Sequence, residues 1–263
     1  MHMRFARPLF AAAVILLSST TQAAIMPVAN FDFSSGSLQS GQTALQVVDP
    51  QGKSKFVTDA VFGKQQMVYR FDSSSASANQ QAGLQLDSRH FINDAYSVDL
   101  VFKFDSLSPS YQRIFDVSAR RSDYGQYAIG AGTLNLYGAS TSSTAKMAAG
   151  LYNRLTLTNS GNALVSAYLN GAWLYDANTQ VLDLDTYQSV NPNRVMSFFL
   201  DDSAEWTAGN IASLRLYNTA LTATDVTAIG NSTPNTPSTA VSAPAPAMLM
   251  LAASLLLLRR RVG

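Results

Sequence analysis

The chain has 263 residues, no cysteine and a formal net charge of +1, which together exclude several functions at once. Without cysteine there can be no disulfide framework, thiolate metal site or cysteine nucleophile. Five of the 18 basic residues, Arg4, Arg7 and Arg259 to Arg261, sit in the two terminal segments, which leaves 13 basic against 17 acidic residues. A mildly acidic body of this kind offers no electrostatic footprint for nucleic acid and no polybasic surface for anionic lipid.

In chain order, Arg4 and Arg7 precede an apolar stretch over 9–17 and a small polar run over 18–24. This is the layout of a secretory signal peptide over 1–23, cut after Ala23, with an apolar core too short to span a bilayer. The roughly 200 residues that follow are enough for one sizeable core.

From there the dominant period is two. Tyr96-Ser-Val-Asp-Leu-Val-Phe-Lys-Phe104 puts Val98, Leu100, Phe102 and Phe104 on one face and Ser97, Asp99 and Lys103 on the other, which predicts a half-buried strand. Strands are also expected at 66–71, 82–86, 113–118, 127–129, 133–137, 154–158, 164–169, 173–175, 195–200 and 211–217. Turn residues over 159–163 link two of them, and Asn170-Gly171 marks a hairpin because both residues tolerate positive φ. The helical signal is confined to 222–229, where Thr222 caps the start with Asp225 three residues on. Many short strands and one late helix predict an all-β fold, an antiparallel β-sandwich or jelly roll, over 25–230.

Residues 231–243 read as a Ser/Thr/Pro linker with too little apolar surface to fold. Residues 244–263 combine an apolar run, 245–258, with Arg259 to Arg261. A helix over that run covers only about 20 Å, short of the ~30 Å hydrocarbon core. The arginines suit a cytoplasmic stop.

This tail resembles the PEP-CTERM class of bacterial sorting signals, with Val241-Ser-Ala-Pro-Ala-Pro246 in place of a Val-Pro-Glu-Pro motif, so the Glu is missing and the first Pro displaced. The resemblance implies transient membrane insertion and a C-terminal processing enzyme of the exosortase type; a plain anchor that is never cut is the other reading. Within the domain, Tyr152-Asn-Arg-Leu-Thr-Leu-Thr158, Ala167-Tyr-Leu-Asn-Gly171, Phe198-Phe-Leu-Asp-Asp202 and the closing stretch 208–226 resemble the concanavalin A-like laminin-G/pentraxin group of jelly rolls. Ala212 stands where many relatives carry Asp or Glu. The group implies a sandwich that binds carbohydrate or other surface polymers, often with a structural calcium ion.

For calcium, Asp201, Asp202 and Glu205 supply three carboxylates in five residues after an apolar strand, either a hard-cation site or a solvated acidic turn. Asp183 and Asp185 are a weaker pair. For glycan, aromatic rings stack on sugar faces while polar neighbours fix hydroxyls. Trp206, Trp173, Tyr124, Tyr127 and Arg121 are the candidates, each with core packing as its alternative. The paired-carboxylate strand motif Glu-x-Asp-x-x-Glu of glycosidases on this fold is absent, His90 is the only histidine beyond the signal peptide, and no phosphate-binding glycine loop occurs. The expected protein is an exported, non-catalytic module at the cell envelope, outer surface or extracellular matrix, binding exopolysaccharide or a cell-surface glycan. A matrix protein making protein contacts is the alternative, and a polysaccharide hydrolase the third.

Overall fold

A computed structural model describes residues 25–73, 80–108, 110–130, 132–139, 141, 143–202, 205 and 207–231. The expected signal peptide, most of the linker and the sorting tail lie outside the described residues, as does Trp206. No helix among the described residues is long and apolar enough to cross a membrane. The strands are β1 (Ala29–Asp32), β2 (Gln39–Ser40), β3 (Thr43–Ala44), β4 (Gln46–Val48), β5 (Lys55–Val61), β6 (Lys64–Phe71), β7 (Gly83–Asp87), β8 (Ala95–Phe104), β9 (Tyr111–Asp116), β10 (Gly125–Ile129), β11 (Thr133–Tyr137), β12 (Asn153–Ser160), β13 (Leu164–Leu169), β14 (Ala172–Asn178), β15 (Val195–Phe198) and β16 (Gly209–Tyr217), with one α-helix, α1 (Ala223–Asn231).

The strands pair antiparallel in two main sheets. One runs β14-β13-β12-β8-β16-β6-β5, with β1 also pairing β16, and the other runs β11-β10-β9-β15-β7-β4. Leu100, Phe102 and Phe104 of the first share a core with Leu84, Leu86, Phe115, Met196 and Phe198 of the second, so the fold is an antiparallel β-sandwich. The alternation along β8 is as the sequence predicts: Val98, Leu100, Phe102 and Phe104 all enter that core.

Local chemistry fixes the register. Asn170 and Gly171 carry φ of 53° and 83° between Leu169 and its partner Ala172, the two-residue turn whose twist suits adjoining strands. In β16 the pairing slips between Ile211 and Ser213, leaving Ala212 as an extra residue. This bulge resets the alternation, so Ile211, Leu214 and Leu216 face the shared core while Ala212 joins an outer cluster with Val101 and Tyr152.

The far face of β8, expected to be half exposed, is buried as well. Leu221 and Val226, leading into and along α1, pack on Tyr168 and Tyr217. Arg154 pairs with Asp99 at 3.1 Å and donates to the Ile229 carbonyl, while Thr156 donates to Asp99 at 2.8 Å. Thr222 and Asp225 form the expected reciprocal cap: Asp225 Oδ2 accepts the Thr222 N–H at 2.9 Å and Thr222 Oγ1 accepts the Asp225 N–H at 3.3 Å.

Candidate functional site

Two places, one on the six-stranded sheet and one at the edges of both sheets, hold side chains singled out by sequence. The first is built around Arg113 of β9, which is fully buried. Its guanidinium donates all of its hydrogens: Nε and Nη2 to Asp201 Oδ1 at 2.8 and 2.6 Å, Nη1 to Asp116 Oδ2 at 3.3 Å and to the Tyr124 carbonyl at 2.8 Å, and Nη2 to the Ser122 carbonyl at 3.1 Å. Five donors in a fixed fork are thereby satisfied, which offsets much of the cost of burying the charge. The guanidinium carbon lies 4.4 Å from the ring centroid of Tyr127, its cross-strand partner on β10.

Asp201 is locked from every side. Its backbone exchanges hydrogen bonds with the Gln81 amide at 2.5 and 2.6 Å, its carbonyl accepts Arg120 Nε at 2.8 Å, and Oδ2 accepts the Glu205 N–H at 3.1 Å. Burial opposes the charge of Arg113, but Tyr127, Asp116 and Asp201 outweigh it and hold its pKa above the usual range. Burial pushes the Asp116 carboxyl up despite Arg113 and Ser118. At the rim, burial and the charge of Asp201 push up Asp202 and Glu205.

These facts place the sequence candidates. Tyr127, expected as a stacking platform, is fully buried against Arg113, because the two face each other across a strand pair; no sugar reaches its ring. Asp201, expected as a cation ligand, is the counter-ion of Arg113. Arg113 occupies Oδ1 of Asp201, the Glu205 N–H donates to Oδ2, and no group of three metal-binding side chains gathers among the described residues. Asp183 accepts from Asn159 at 2.8 Å and Asp185 from Arg194 at 3.1 Å, so that weaker pair serves two other contacts. Arg121 is exposed. Tyr124 is 46% exposed and tilts against Tyr137 at 6.4 Å. Gly138 makes room for it, since a Cβ there would lie 2.4 Å from the Tyr124 ring.

The second place is an open cleft of about 550 Å³ between the edge strands of the two sheets. Trp173 and Leu174 of β14 form one wall; Thr133, Leu134 and Asn135 of β11 form another, and Thr141, Ser143 and Thr144 close it from the next loop. Trp173 is 59% exposed, and its indole N–H donates to Asp176 Oδ1 at 3.2 Å. Asn135 Nδ2 donates to Thr141 Oγ1 at 2.9 Å, tying loop to strand. Of the expected site residues that are described, only Trp173 lines this cleft. The hydroxyls around it escaped sequence reasoning; the Ser/Thr-rich stretch 138–144 was their sole local signal. A volume in the ~300–1,000 Å³ range with an exposed ring, aliphatic walls and several hydroxyls is what a small polar ligand with an apolar face requires.

No family model and no curated protein matches the chain. Among solved structures it is similar to domain 4 of AbnA, a GH43 extracellular arabinanase from Geobacillus stearothermophilus, in complex with arabinotriose (TM-score 0.57, 17% identity, covering 80% of this chain and 99% of that one). It is also similar to the binding domain of botulinum neurotoxin DC in complex with SialylT (TM-score 0.52, 11% identity, 78% and 51% covered). The binding domain of botulinum neurotoxin serotype D/C VPI 5993 is a third (TM-score 0.51, 11% identity, 78% and 51%). The chain spans nearly all of the arabinanase domain and about half of each toxin domain. At these identities the likeness defines the class, a jelly-roll-like β-sandwich.

Proposed function

We propose that this protein is an exported, non-catalytic glycan-binding module whose ligand seats in the Trp173 cleft. The observation that carries the reading is the half-exposed indole of Trp173 facing threonine and serine hydroxyls across a cleft of ligand size. Two solved structures with this fold, at low identity, are complexes with arabinotriose and with SialylT, which supports the same class of ligand. The lining is hydroxyl, amide, aliphatic and indole, and supplies no carboxylate pair for glycoside hydrolysis. Tyr124 and Arg121, both exposed, offer a further contact outside the cleft.

In this reading the laminin-G-like sandwich is delivered by the signal peptide over 1–23. The variant PEP-CTERM-like tail over 244–263 then hands it to an exosortase-type enzyme, with linker 231–243 as the spacer. Retention of the secreted protein on a panel of insoluble and soluble polysaccharides tests the function. Retention on at least one polymer, without release of reducing sugar, is the expected result; no retention on any of them refutes it.

A second reading, contact with another protein, is favoured by Phe62. This side chain is 57% exposed at the tip of the β5–β6 hairpin and carries φ of 48°, a left-handed conformation costing a bulky residue ~1–2 kcal/mol. Self-association in sedimentation experiments without glycan, abolished by Phe62→Asn, would establish that reading.

A further inference from the structure

We propose that the Trp173 cleft selects neutral glycans and that Asp176 is the residue that turns acidic ones away. The proposal rests on the glycan reading above and goes on to name the ligand's charge class. Recognition of a sugar carboxylate calls for a cationic side chain, best an arginine fork, at the point of contact. The side chains lining this cleft are all uncharged. Lys146 follows the loop that closes it and bridges to Thr133 through the backbone, yet it does not line the cleft. The charge nearest the stacking ring is negative: Asp176 lies three residues along β14, exposed, with Oδ1 3.2 Å from the indole nitrogen of Trp173.

The same contact does two things. As an acceptor, Asp176 fixes the rotation of the indole, so that the ring is oriented before a sugar arrives and less freedom is lost on binding. As an anion, it places a full charge at the edge of the surface on which a sugar must stack. A second negative charge about 6 Å away in water lowers affinity by a factor of roughly 3, more where the bound sugar excludes solvent. Neutral sugars feel no such repulsion, and their hydroxyls meet donors and acceptors at Thr133, Asn135, Ser143 and Thr144. The field of Asp176 is felt nearby, since it adds to burial in pushing the Tyr168 hydroxyl up.

Asp176→Asn separates the two roles, because the amide keeps an acceptor for the indole and drops the charge. The test uses the secreted protein, with arabinan, galactan and β-glucan as neutral probes and polygalacturonate and alginate as acidic ones, at low ionic strength where charge effects are largest. Expected are binding to at least one neutral polymer, lost at least tenfold in Trp173→Ala, and binding to the acidic pair at least threefold weaker. Asp176→Asn should raise the ratio of acidic to neutral affinity threefold or more. Binding of polygalacturonate or alginate by the unmodified protein through Trp173 as tightly as the neutral polymers overturns the selectivity and leaves the glycan function standing. Neutral binding that survives Trp173→Ala overturns the site, and a ratio of acidic to neutral affinity unchanged in Asp176→Asn overturns the role of that residue. Failure to bind any polymer overturns the function itself.

Discussion

The Arg113 centre and the Trp173 cleft are neighbours with opposite chemistry. Tyr127, which packs on Arg113, is the cross-strand partner of Asn135, which lines the cleft. On one side of that pair every donor of a buried cation is used; on the other, hydroxyls and a large ring stand open. A concentration of charge in the sequence has thus become scaffolding, while the surface suited to a ligand is almost uncharged. Saturated polar groups have nothing left to offer a ligand, whereas an exposed ring and hydroxyls with capacity for a further hydrogen bond do.

Removing Arg113 is the largest way to test the contrast. Arg113→Met leaves Asp201 and Asp116 buried without a cation, a change that costs about 3–5 kcal/mol. That is roughly 6–20 °C in Tm for a domain of this size. A drop of only a degree or two, measured by calorimetry, would break the distinction between frame and site. Trp173→Ala should do the reverse. Its ring is more than half exposed, so Tm stays within about 2 °C, while glycan affinity falls at least about tenfold, as for a contact residue worth ~1.4 kcal/mol or more.

Smaller effects come from pH, with opposite signs in two places. Burial would raise Asp59, but Lys103 at 2.6 Å, Tyr152, the Ala60 N–H and Asn210 outweigh it and lower its pKa. A depressed carboxyl stabilises the fold above its unfolded value and loses that contribution as pH falls through the folded one. The stability advantage of the unmodified protein over Asp59→Asn should therefore be full at neutral pH and shrink below about pH 4. Glu205 is raised, by burial and then by Asp201, so its ionised form weakens the fold. Glu205→Gln should be the more stable protein at neutral pH, and the difference should fade as acid protonates the native carboxyl. Denaturant midpoints across pH check both; parallel curves for the two variants would contradict the assignment. The smallest expected effect is that of calcium. With Asp201 held by Arg113, Tm should not move between excess calcium and chelator, whereas a ligand bound only by the native state would raise it.

Much of the frame is legible in the sequence wherever one face alone is apolar. The strands expected at 96–104, 133–137, 164–169 and 211–217 all formed, and the Asn170-Gly171 turn fell where its dipeptide puts it. Strands β1 to β5 were not anticipated. Two of them have only two residues, and β5 exposes side chains on both faces, which erases the period of two. The strand expected over 195–200 stops at Phe198, because Phe199 turns with φ of 62° to stack on Phe71 at 4.1 Å.

The sites were less legible for a topological reason. Asp201-Asp202 looks like a cation loop until β15 is laid beside β9, which delivers Arg113 to it. Trp173 is recognisable as an aromatic past a hairpin, but its partners come from β11 and the loop after it, well earlier in the chain, and only the closing of the two sheet edges brings them together.

The indole N–H resonance of Trp173 in a nitrogen-15 spectrum, assigned by its absence from Trp173→Phe, reports on the cleft directly. Titration with a polysaccharide that the protein retains should shift that resonance saturably, with the same midpoint as the bulk binding isotherm. A Trp173 signal that stays fixed while the glycan is demonstrably bound would contradict the placement of the ligand in this cleft.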